Sequence, residues 1–194
     1  MNEPSSTAAA ASMSVAVLGF GRWGRNLARN VHALGALAAV VDTDPAGRAA
    51  ATTAFPNCPV LADPEAVWAD PTVVAVVIAT PAATHAALTR RALLADKHVF
   101  CEKPLSLTAA EARDNAALAE ARGRLLMVGH LLEYHPAFVE VVRRVRRGDV
   151  GQVRAILSQR LGLGRIRTEE NVLWSFAPHD IAMVLRLAGQ LPAT

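Results

Sequence analysis

The chain of 194 residues is long enough for one full domain and part of a second. With 52% hydrophobic and 19% charged residues it is globular, which excludes a disordered chain. Its net charge of +3, from 20 basic against 17 acidic side chains, gives no reason to expect a nucleic-acid partner.

The first residues are rich in Ala, Ser and Thr and lack the basic start and Leu-rich core of a signal peptide, so 1–13 reads as a flexible tail. Val15 to Leu18 is a short apolar run that ends at Gly19. Gly21 and Gly24 complete G-x-G-x-x-G, with Arg22 and Trp23 between the last two glycines. A helical face of Leu27, Val31 and Leu34 follows, with Gly35 at the C-cap. A second apolar run, Leu37 to Val41, ends at Asp42. This strand–turn–helix–strand order is what a dinucleotide fingerprint requires. Gly19 makes the tight turn, Gly21 lets the backbone approach a pyrophosphate at the helix N-terminus, and Gly24 lets helix and strand pack closely. Asp42 stands 18 residues after Gly24, where a carboxylate accepts ribose hydroxyls and repels a 2′-phosphate; that favours NAD over NADP. Asp44-Pro45 is the better N-cap and N1 pair for the next helix, which leaves Asp42 for the ribose.

An alanine-rich helix runs to about Ala54, and a short strand lies near Pro59 to Leu61. Another helix opens at Asp63-Pro64-Glu65. Val73 to Ala79 is a continuous apolar run, as expected of a parallel strand buried on both faces. A helix after Pro81, a strand His98 to Cys101, a capping box Thr108 to Glu111 opening a helix that stops at Gly123, and a strand Leu125 to Val128 complete the alternation. The fold class is therefore α/β: a Rossmann-type doubly wound parallel sheet over 14–130. The remainder, 131–194, reads as the truncated start of an α+β substrate and oligomerisation domain. It has a helix from Pro136 to Arg147, a strand from Gln152 to Leu161, and a helix with Ile181, Val184, Leu185 and Ala188 facing inward. One strand with one or two helices is not self-sufficient, so this part should dock on the first, pair with another chain, or move. The four arginines from Arg143 to Arg147 read as a solvated helix end.

Ligands of open α/β sheets bind beyond the carboxyl ends of the strands. Those ends carry Gly19 to Gly24, Thr80-Pro81 with Thr84 and His85, Glu102-Lys103-Pro104, and Gly129-His130. Thr80, Pro81, His85, Glu102 and Lys103 join the cofactor candidates. Lys103 is one of two lysines in an arginine-dominated chain; it is either a solvated loop lysine or a group that hydrogen-bonds an alkoxide beside a cationic ring. His130 and Tyr134 follow the last strand and suit sugar hydroxyls or packing. Arg160, Arg165 and Arg167 carry guanidinium forks that suit a diphosphate, or form a solvated basic loop. Cys58 and Cys101 give neither metal spacing nor a disulfide framework, which fits a reducing cytoplasm. No apolar run reaches the roughly 18 residues of a membrane span.

The segments G-F-G-R-W-G, A-T-P-A-A-T-H and C-E-K-P, with a late His-Asp, resemble the Gfo/Idh/MocA oxidoreductases. The resemblance runs from about Ser14 to the end of the chain. The stretch R-I-R-T-E-E-N-V-L-W-S-F-A-P-H-D-I resembles the subgroup acting on the 3-hydroxyl of UDP-N-acetylglucosamine-type sugar nucleotides. It implies NAD as cofactor, a sugar-nucleotide substrate, Lys103 by the nicotinamide, a cis Lys103-Pro104 bond, and His179 as the acid/base residue. Many members place an Asp one helical turn before that His; here the position is Ser175. Family members are longer, and a broad antiparallel sheet completes their substrate site and oligomer interface. This chain stops before most of that sheet, as a fragment or a naturally truncated protein would. The rival expectation is accordingly a nucleotide-binding module with weak or no catalysis.

Overall fold

The computed structural model describes residues 13–160 and 172–191. These divide into two compact units, residues 1–128 and 129–194.

The first unit is a six-stranded parallel sheet in the order β3-β2-β1-β4-β5-β6. Its strands are β1 (Val15–Leu18), β2 (Leu37–Val41), β3 (Val60–Leu61), β4 (Ala75–Ile78), β5 (His98–Cys101) and β6 (Leu126–Val128). The helices between them are α1 (Gly24–Ala33), α2 (Pro45–Ala54), α3 (Glu65–Ala69), α4 (Ala82–Leu94) and α5 (Ala109–Ala121). The strand order reverses between β1 and β4, which pair in parallel from Val15↔Ala75 to Leu18↔Ile78. Period-two alternation sends Val15, Val17, Val40 and Val77 to one face, where Ala28 of α1 and Ala51 of α2 cover them. Ala16, Leu18, Val41, Val76 and Ile78 point to the other, under Val67, Ala92, Leu93 and Ala119 from α3, α4 and α5. The sheet is therefore doubly wound, and its central strands are apolar throughout because both faces are covered.

Local chemistry sets the helix ends. The Asp44 carboxylate accepts from Ala46 N at 3.0 Å with Pro45 at N1, so Asp44 caps α2. The Thr108 hydroxyl accepts from Glu111 N at 3.2 Å and donates to the Glu111 carboxylate at 2.8 Å. Gly35 follows α1 at φ +69°. Leu34, expected on the inward face of α1, is 81% exposed: it sits at the C-cap, past the last helical turn, and Gly24 and Ala28 form the buried stripe.

In the second unit a short 3-10 helix (Leu131–Tyr134) leads into α6 (Pro136–Arg147), and α7 spans Val172–Ala188. The strand expected over Gln152 to Leu161 is absent from its described part, since 151–160 carry no regular structure. A strand persists only as one side of a ladder, and among the described residues no segment pairs with this one. The inward face expected of α7 is also revised. Ile181 is 56% exposed and Ala188 is exposed, while Val184 and Leu185 are half-buried. Among the described residues of this unit no strand supplies the sheet such a face needs. Instead α7 is anchored through Arg186, which donates to the Glu133 carboxylate at 2.7 Å and the Glu133 carbonyl at 2.8 Å.

Candidate cofactor site

The loop from β1 to α1 separates the roles of its three glycines. Gly19 has φ +91°, and a Cβ there would lie 2.7 Å from the Ala79 carbonyl oxygen. A Cβ on Gly24 would overlap the Gly19 carbonyl. These two are demanded by the fold. A Cβ on Gly21 would meet nothing within 4 Å. The bare backbone at Gly21 therefore answers no need of the protein itself, but it suits a ligand lying against the main chain. α1 opens with no side-chain cap and no acid in its first turn, and Arg25 N and Asn26 N donate to the Gly21 and Trp23 carbonyls at 3.1 and 2.9 Å. Arg22 and Trp23 are exposed beside it.

Asp42, at the end of β2, is not free as expected. Its Oδ2 accepts from Phe20 N at 2.6 Å and its Oδ1 from Asp44 N at 2.8 Å. The carboxylate is thus oriented by the glycine loop and by the turn after it. A carboxylate has about four lone-pair positions, so two bonds leave room for ribose hydroxyls. Gly47 is a participant that the sequence reading missed: a Cβ there would lie 2.7 Å from the Asp42 carboxyl carbon. The signal was a glycine one turn into a helix that opens Asp-Pro.

At the end of β4, the Thr80 and Thr84 hydroxyls are 2.7 Å apart, and Thr84 also donates to the Pro81 carbonyl at 2.7 Å. His85, expected to contact the cofactor, does not fit that role. It is 2% exposed, and both ring nitrogens face main-chain carbonyls, Nδ1 at 2.7 Å from Pro104 O and Nε2 at 2.8 Å from Thr80 O. A neutral ring donates to one of these and a doubly protonated ring to both. Either way His85 ties the β4 end to the β5 end from beneath.

Beyond β5, the Glu102 carboxylate is buried. Its Oε1 accepts from the Trp23 indole Nε1 at 2.6 Å, and its Oε2 from Lys103 N at 3.3 Å. Burial pushes its pKa up, and the Trp23 bond opposes that rise. Lys103 is half-buried, and the Lys103-Pro104 peptide is cis. The chain's other lysine, Lys97, is buried and donates to the Asp70 carbonyl at 2.5 Å, a structural role. Buried Cys101 has its thiol pushed up to about 12 by burial, so it is no nucleophile at neutral pH.

In the second unit, His179 is buried in α7 and its ring meets that of half-buried His130 edge to face, with centroids 6.1 Å apart at 85°. Ser175 also falls within α7. Tyr134 is 64% exposed. Arg160 is not held open for a diphosphate: its guanidinium pairs with Asp180 at 2.9 and 3.2 Å, and Ser158 donates to the same carboxylate at 2.8 Å. The Arg160 bond holds the Asp180 pKa below its usual value. Arg165 and Arg167 lie outside the described residues.

Taken together, the first unit is a Rossmann-type domain with a glycine loop between β1 and α1 and an acid at the end of β2. The chain belongs to the Gfo/Idh/MocA oxidoreductase family with an NAD-binding Rossmann fold, whose model matches residues 13–130. It is 33% identical over 181 residues to UDP-N-acetylglucosamine 3-dehydrogenase of Acidithiobacillus ferrooxidans, covering 93% of this chain and 56% of that protein. It is 35% identical over 144 residues to inositol 2-dehydrogenase of Acidothermus cellulolyticus, covering 72% and 42% respectively. Among solved structures, GenD2 from gentamicin A biosynthesis in complex with NAD matches with a TM-score of 0.79 at 28% identity, over 91% of this chain and 54% of that one. The chain thus spans about half the length of the curated relatives it matches. Among the described residues no helix is long and apolar enough to cross a membrane.

Proposed function

We propose that this chain carries the cofactor half of an NAD-dependent dehydrogenase that oxidises a sugar hydroxyl, the 3-hydroxyl of a UDP-N-acetylhexosamine, in the cytoplasm. The observation that carries the cofactor part is the open backbone at Gly21 between two sterically required glycines. The likeness to UDP-N-acetylglucosamine 3-dehydrogenase supports the substrate class. When bound, NAD supplies the hydride acceptor. In this reading Asp42 accepts the adenosine ribose hydroxyls and disfavours a 2′-phosphate. His179 takes the hydroxyl proton, since imidazole titrates near working pH. Lys103 stabilises the developing alkoxide as a compact ammonium. His130 and Tyr134 bond sugar hydroxyls, Arg165 and Arg167 meet the diphosphate, and a second copy pairs through the second domain. His85 and Arg160 drop out as contacts because their partners are main-chain carbonyls and Asp180.

Titration with NAD and NADP, followed by NADH formation from a panel of UDP-sugars and inositols, tests the reading. NAD should bind more tightly than NADP; tighter NADP binding would overturn the role of Asp42. In a chain that turns substrate over, Lys103→Ala should lower turnover by at least about 100-fold with little change in NAD affinity. Near wild-type turnover would reduce Lys103 to a loop lysine. Tight NAD binding with no turnover of any substrate would favour the nucleotide-binding module.

A further inference from the structure

The strand order fixes the direction in which a dinucleotide can lie. With the adenosine ribose at the end of β2 and the pyrophosphate at the end of β1, the nicotinamide half extends over the next strands, β4 and β5. Along that path runs one long-range side-chain bond, from Trp23 on the β1 loop to Glu102 at the end of β5. It passes over the carboxyl end of β4, which lies between those strands. The indole is tethered by its polar edge yet remains 44% exposed, so an aromatic surface is held in place and left uncovered. The carboxylate beside it is buried and fixed by the main chain of Lys103.

The two redox states of nicotinamide differ in charge. The oxidised pyridinium is cationic; the dihydropyridine left by hydride transfer is neutral. An indole face attracts a cation more strongly than other aromatic side chains do, and a nearby carboxylate adds to that attraction. We propose that Trp23 and Glu102 form a strap across the end of β4 that reads the redox state of the cofactor, holding oxidised NAD in preference to NADH. The strap rests on the cofactor reading given above. It biases the site toward taking up the oxidant and releasing the reduced product, the direction a dehydrogenase needs.

The test uses the chain as it stands and three probes: oxidised NAD, NADH, and ADP-ribose, which lacks the nicotinamide. Affinities are measured by calorimetry for wild type, Glu102→Gln and Trp23→Ala. Glu102→Gln keeps an acceptor oxygen for the indole while removing the charge and the weaker acceptor for Lys103 N. The expected result is that ADP-ribose binds all three proteins alike. The preference for NAD over NADH should fall about three- to ten-fold in Glu102→Gln, and at least as far in Trp23→Ala. If ADP-ribose binds normally and the NAD to NADH ratio is unchanged in both variants, the strap is overturned while the cofactor site stands. If wild type binds neither ADP-ribose nor NAD, the cofactor reading itself fails. Should the buried Glu102→Gln substitution disturb ADP-ribose binding, the more exposed Trp23→Ala decides the matter alone.

Discussion

The two units use apolar residues in opposite ways. In the first, Leu18, Ile78 and Leu93 are fully enclosed because crossover helices cover both faces of the sheet. In the second, Val142 and His179 are the only enclosed side chains beyond Gly129 among the described residues. Val141, Leu157, Phe176 and Ile181 stay exposed, and an open apolar hollow of about 310 Å³ is lined by Leu132, His135, Ala137, Phe138, Val141 and Met183. Here α6, α7 and the 3-10 helix leave much of their apolar surface uncovered among the described residues, and uncovered surface of this kind marks a face that meets something else. A βα alternation completes itself; two helices and an irregular stretch do not.

If the difference is one of burial, the first unit should be far more sensitive to substitution. The largest effect is expected at Gly24→Ala, whose methyl overlaps the Gly19 carbonyl; it should cost more than about 4 kcal/mol and unfold the Rossmann unit in thermal melts. Gly21→Ala, three residues away, should melt like wild type yet bind NAD at least about ten-fold more weakly, since its methyl meets only the space assigned to the ligand. Equal melting of the two variants would erase the distinction between fold and ligand glycines. Next, Leu93→Ala should destabilise by about 3 kcal/mol, whereas Ile181→Ala should change stability by less than about 0.5 kcal/mol. A large loss at Ile181 would show that α7 is covered in solution. Comparably small is the Arg160–Asp180 pair, whose partial exposure holds the cost of Arg160→Ala to about 0.5 kcal/mol. Because Asp180 is held below its ordinary pKa, that contribution is present above 3.8 and is lost as pH falls through the lowered value. Denaturant melts of wild type and variant should therefore converge in acid.

What could be read from the sequence was what is set locally. The buried β4, the Asp44-Pro45 cap and the Thr108 cap follow from neighbours a few residues apart, and the glycine loop was legible from its spacing although Gly19 is constrained by the distant Ala79 carbonyl. The misreadings share the opposite property. His85 reaches a carbonyl 19 residues away and Arg160 a carboxylate 20 away, distances over which composition and period carry no signal. Leu34 failed for a different reason: periodicity continued past the point where the backbone left the helix. The strand expected from Gln152 to Leu161 has no partner among the described residues, and a strand needs one.

The contact between Gly47 and Asp42 also constrains the order in which cofactor preference can change over generations. A side chain at position 47 would force the Asp42 carboxylate, held by Phe20 N and Asp44 N, to shift, so substitution there is disfavoured while Asp42 remains. Once Asp42 is replaced by a smaller residue, position 47 is released and can acquire a side chain, a cationic one for a 2′-phosphate included. The return runs in the opposite order, with glycine restored at position 47 before the acid at position 42. The two positions impose an order rather than a direction in sequence space, and a laboratory switch toward NADP runs most easily through position 42 first.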